Sequence, residues 1–182
     1  DYSNDTVVTM PDLSQFALPD DRNLTVLLNK FVLKTNKASI YLPLKDVVSS
    51  TFSILGETPI VQMGMNYSQH IKIHDRDVWQ QFGRELAPHK PWQDAVPYFK
   101  DLEKETVNEM GVFELSMNLP RPDKYAGHIR SKIKAMEPID NQTLHFNINN
   151  HIINTSEGGK SSEIIKILEN CWEDSLSHSS TI

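Results

Sequence analysis

A single cysteine, Cys171, stands in a chain of 182 residues. No intramolecular disulfide can form, so the fold must rest on buried apolar surface, and a reducing compartment is favoured. Cys171 falls among Ile164, Ile165, Leu168 and Trp172 at helical spacing, and is expected to be a buried, inert thiol. No run approaches the roughly 18 apolar residues of a membrane-spanning helix. Internal repeats and low-complexity linkers are absent, which excludes solenoids and arrays. So is the punctuation of the common catalytic sites: there is no glycine-framed serine, and no Cys–His or Ser–His–Asp set has a recognisable local context. The expectation is a non-enzymatic protein without cofactor or metal.

What is present suits one globular domain: 38% hydrophobic and 23% charged residues in a length able to bury a core. The net charge of −6 is unevenly spread. Residues 1–21 carry five acids and no base. Lys30, Lys34, Lys37 and Lys45 follow, and Arg121, Lys124, Arg130, Lys132 and Lys134 face only Asp123 between Leu119 and Met136. Acidic ends thus flank a basic middle, a pattern suited to docking on an acidic partner or between copies of the chain.

Residues 1–22, with Pro11, Pro19 and no sustained periodicity, read as an extended N-terminal arm. Leu13 and Phe16 within it are candidate self-association anchors. Residues 23–182 read as a single globular domain. Strand formers fill 25–42, and Leu44, Val47, Val48, Phe52 and Leu55 give a helix stopped by Gly56. From Val61 to His74 one parity is apolar and the other polar, as on a half-buried antiparallel strand. Helices are predicted over Asp77–Ala87 and Pro97–Met110, then strands around 113–119, 128–134 and 144–152, and a last helix from Ser162 to Leu176. The fold class is α+β, an antiparallel sheet with helices packed on one face.

Three stretches invite a chemical reading. "GGKSS" ends like a phosphate-binding loop, but Asn154 occupies the place of its first glycine and the preceding strand alternates rather than being wholly apolar. It reads as a turn at Gly158 and Gly159 with a cap at Ser161 or Ser162. His70 and His74 share a strand face but stand roughly 13 Å apart, too far for one metal ion unless His128, His145 or His151 converge from other strands. Arg130, Lys132 and Lys134 alternate along an extended segment and form a cationic edge, the candidate anionic-partner site. Sequence-specific nucleic-acid binding is not expected, since no aromatics are interleaved with these charges.

"FVLKTNKASIYLPLKDVV" and "GVFELSMNLPRPD" resemble two stretches of the globular domain of rhabdovirus matrix proteins. That resemblance implies a viral structural protein that self-associates as a homo-oligomer through an N-terminal segment, contacts the nucleocapsid protein and touches anionic membrane peripherally. It places the chain in host cytoplasm and the virion interior. Five N-x-[ST] sequons, at Asn4, Asn23, Asn66, Asn141 and Asn154, support a different reading, a secreted N-glycosylated binding domain. An enzyme with a dispersed site ranks third.

Overall fold

In the computed structural model residues 7–95, 112–137 and 142–180 are described. They form an α+β fold with two four-stranded antiparallel sheets, one more than the sequence suggests. The chain divides into two compact units: one runs to Val61 and includes Asn154–Asp174, and the other holds Gln62–Ile153 and the chain from Ser175 onward. The sequence suggests an arm over 1–22 and a single domain over 23–182; in the structure Val7–Met10 and Leu13–Leu18 are strands of the first unit.

The first unit begins with a meander, β1 (Val7–Met10), β2 (Leu13–Leu18), β3 (Arg22–Leu27) and β4 (Lys30–Thr35). Residues 7–18 are strands, not an extended arm. Pro11–Asp12 and Leu28–Asn29 close two-residue hairpins, since Met10 faces Leu13 and Leu27 faces Lys30. Between β2 and β3, Asp20 (φ 62°) and Asp21 (φ 58°) take the left-handed conformation that aspartate tolerates better than most residues. Phe16 lies level with Val7 and Leu24, and Leu13 with Met10 and Leu27, so both proposed anchors are held by cross-strand neighbours.

Helix α1 (Tyr41–Ile54) follows, and Phe52 meets Phe31 of β4 edge-on with ring centroids 5.2 Å apart. After the second unit the chain returns through 154–160 into α4 (Ser161–Ser180). Ile164, Ile165, Leu168 and Cys171 are buried along α4, as their spacing predicts, while Trp172 is half-buried.

The second unit is built on β5 (Gln62–Lys72), β6 (Glu114–Pro120), β7 (Gly127–Ala135) and β8 (Thr143–Ile153), in spatial order β5-β8-β7-β6. Alternation gives the sheet two unlike faces. On one, Leu144, Ile148 and Ile152 of β8 and Ala135 of β7 are buried. Helix α2 (Arg76–Leu86) lies over that face through Phe82, whose ring centroid is 6.4 Å from that of Phe146 on β8. Asp75 caps α2 by accepting from the Asp77 and Val78 amides at 2.8 and 3.1 Å. A short α3 (His89–Ala95) comes next, and the helix predicted over Pro97–Met110 lies outside the described residues.

Candidate functional site

The other face of the second sheet is polar from edge to edge. Register fixes its rows, because residues opposite each other across antiparallel strands share a face. His70, His145, Lys134 and Glu114 form one row; Ser68, Asn147, Lys132 and Ser116 the next; Asn66, Asn149, Arg130 and Asn118 a third; and Gly64, His151, His128 and Pro120 a fourth. Lys72 stands beyond the first row, opposite Thr143. Four cations meet one carboxylate, Glu114.

The three predicted anion-binding residues are thus brought together on β7, and each is oriented. Arg130 donates through Nε to Asn118 Oδ1 at 2.9 Å. Lys132 Nζ lies 2.8 Å from Glu114 Oε1, and both side chains keep more than a third of their surface in water. Such a pair contributes about 0–1 kcal/mol and yields readily to a competing anion. Lys134 Nζ lies 5.3 Å from the centre of the Phe113 ring.

The histidines converge as pairs. His70 and His145 stack at 4.9 Å, and His128 and His151 at 4.7 Å, with ring planes inclined by 31° and 34°. Among the described residues no three His, Cys, Asp or Glu side chains assemble as metal ligands. Partial burial, then His70, Lys132 and Lys134, hold His145 below its ordinary pKa. His151 is lowered first by burial and then by His128, Arg130 and Arg121. In the middle of the face Asn149 Oδ1 is shut off from solvent without a hydrogen-bond partner. Sequence reasoning misses both stacked pairs, because they depend on the register between strands far apart in the chain.

The loop at 154–160 is structural. Asn154 Nδ2 donates to the Ile60 and Lys160 carbonyls at 2.8 and 3.0 Å, and its Oδ1 accepts from Ser156. Gly158 and Gly159 adopt φ of 71° and 64° to turn the chain. Ser161 Oγ is turned back to the Gly56 carbonyl, 2.7 Å away, beyond the end of α1. Lys160 is exposed, with its carbonyl in the network and its side chain outside it. Lys160→Ala should therefore leave the urea midpoint unchanged, while Asn154→Ala should lower stability by about 1–3 kcal/mol. Micromolar ATP binding lost in Lys160→Ala would reverse this reading.

No family model, curated protein or solved structure matches the chain.

Proposed function

We propose that the chain is a non-enzymatic structural protein of the viral matrix kind. In this reading copies associate with one another, and the cationic sheet face docks an anionic partner, the nucleocapsid or the inner membrane leaflet. The observation that carries it is the second sheet's division into an apolar face buried along β8 and an open cationic one. That is the architecture of a docking platform. Contact with a membrane would be peripheral, since no helix among the described residues is long and apolar enough to cross one.

Self-association has its own support in the first unit, though not in a free arm. β1 is the edge of its sheet, and Val7 and Met10 on it are 55% and 60% exposed. An exposed apolar edge strand is a template for pairing with another chain. Residues 1–22 also contribute two of the sheet's four strands, so their removal would uncover β3 and damage the fold. The informative variant is instead Val7→Lys with Met10→Lys. Sedimentation over a wide concentration range should show wild-type association that this variant loses while keeping its circular dichroism. A wild type that stays monomeric throughout would sink the matrix-like reading.

The secreted reading is less well supported. The Asn154 amide that would carry a glycan already donates two hydrogen bonds, and Asn23 sits half-buried in β3 between Ala17 and Lys34.

A further inference from the structure

We infer that the polar face of the second sheet is a binding platform for single-stranded nucleic acid, gripping the phosphate backbone along β7 and the bases over the two histidine pairs. The inference rests on the reading of this face as an anion-docking surface and narrows its ligand.

Three features point to a strand with bases rather than to a featureless anion. First comes spacing. Arg130, Lys132 and Lys134 occupy alternate positions of one strand, roughly 6.6–6.8 Å apart. That is about twice the ~3.4 Å rise of a stacked nucleic-acid strand, so consecutive cations meet every second phosphate of a stacked strand, or consecutive phosphates of a single strand stretched to about double that rise. Lys72, two strands across, flanks its path.

The second feature is what lies beside the charges. A surface made only for anions needs only cations. Here the cations adjoin planar imidazoles and neutral hydrogen-bonding groups: Asn147 and Asn149 on β8, and Asn66 and Ser68 on β5. Bases offer a ring face to the first and exchange hydrogen bonds with the second, without requiring one sequence. The stacked pairs lie at opposite ends of the face, on the row of Lys134 and the row beyond Arg130, so bases can be held at both ends of the same tract.

The third feature is shape. The face is an open antiparallel sheet, His70, Ser68 and Asn66 on its β5 edge are exposed, and Arg130 is exposed on β7. A duplex presents its bases inward and cannot use the imidazoles, so the platform selects unpaired strands.

Protonation couples to this binding with a definite sign. At neutral pH the lowered pKa values leave His145 and His151 mostly uncharged. A bound phosphate backbone favours the imidazolium form, so binding takes up protons and tightens as the solution is made mildly acidic. The groups facing His145 are His70, Lys72, Lys132, Lys134 and Glu114, and those facing His151 are His128, Arg130 and Arg121. Only one of them, Glu114, is acidic.

The test is fluorescence anisotropy on the full chain with a labelled oligouridylate, an abasic deoxyribose-phosphate oligomer of equal length, a duplex, and vesicles containing phosphatidylserine. Oligouridylate should bind at least about tenfold tighter than the abasic oligomer, in keeping with base–aromatic stacking. Log affinity should fall against log salt with a slope near −2 to −3, as expected for three or four phosphate contacts at about 0.7 each. Arg130→Ala, Lys132→Ala and Lys134→Ala together should reduce that slope by about 2 and leave the thermal midpoint near that of wild type. Acidification should tighten oligouridylate binding. Equal affinity for the abasic oligomer would overturn the inference and leave a generic anion-docking face. Binding to vesicles but not to oligouridylate would overturn it in favour of the membrane. Binding to none of the probes would overturn the anion-docking reading as well.

Discussion

Gly127→Ala should lower stability by roughly 2–6 kcal/mol, a large part of the total for a domain of this size. Gly127 opens β7 at φ 137°, a conformation that side chains other than glycine's rarely adopt. It lies level with Ile152 on the central strand, and the backbones approach so closely that a Cβ would overlap the His151 carbonyl oxygen and come within 3.1 Å of Ile152 Cα. Both obstacles are main-chain atoms of a buried ladder, and neither can swing aside. Gly158→Ala is the matched control. Its φ is 71°, nothing stands within 4 Å of the added carbon, and only the left-handed conformation is penalised, at about 1–2 kcal/mol. Urea denaturation of the two variants separates overlap from conformation. Equal losses would mean that β7 does not approach β8 as described.

Ile164→Ala should cost about 2–5 kcal/mol, because the side chain is 1% exposed and truncation leaves a cavity that closely packed neighbours cannot fill. Two further positions on α4 calibrate the result. Trp172 is half-buried, and its indole Nε1 is shut away without a hydrogen-bond partner, so Trp172→Ala should lose well under the roughly 3–5 kcal/mol of a fully buried tryptophan. Lys166 is exposed and pairs with Glu163 at 2.8 Å, so Lys166→Ala should change stability by less than about 0.5 kcal/mol. Thermal or urea unfolding should rank Ile164→Ala first. A smaller loss there than at Trp172 would mean that the wrong stripe of α4 has been taken as buried.

The ease with which elements can be read from sequence tracks how differently their two faces are solvated. Along β5, exposed and half-buried residues alternate from Gln62 to Lys72 without a break, so its period of two is plain in the residue pattern alone. The stripe of α4 and the run Leu44, Val47, Val48 and Phe52 of α1 are legible for the same reason at helical period. The first sheet hides because both of its faces mix apolar and polar residues. Val7, Phe16, Leu24 and Leu33 lie on one face, and Met10, Leu13 and Leu27 on the other, so alternation cancels. Its strands are also only four to six residues long, and the prolines and aspartates among the first of them read as an extended arm rather than as hairpins. The candidate site is half legible. Arg130, Lys132 and Lys134 announce themselves because a single strand carries them. The histidine pairs do not, since His70 meets His145 only when β5 has found its register on a strand far downstream.

That register also has a history in time. β8 is the last strand of its sheet to be synthesised, yet it lies at the centre, with β5 on one side and β7 on the other. β6, β7 and β8 succeed one another as hairpins and can zip together locally as they appear. β5 has no such neighbour. On a ribosome its half-buried parity, Met63, Met65, Tyr67 and Ile71, must wait through the synthesis of everything from Lys72 to Ile153, on the order of ten seconds. For that interval the nascent chain carries an unpaired strand with one apolar side, the kind of surface that chaperones recognise and that neighbouring nascent chains can pair with. The polar residues that make one side of β5 a binding surface in the finished protein, Asn66, Ser68, His70 and Lys72, are in those seconds what keeps the strand in solution.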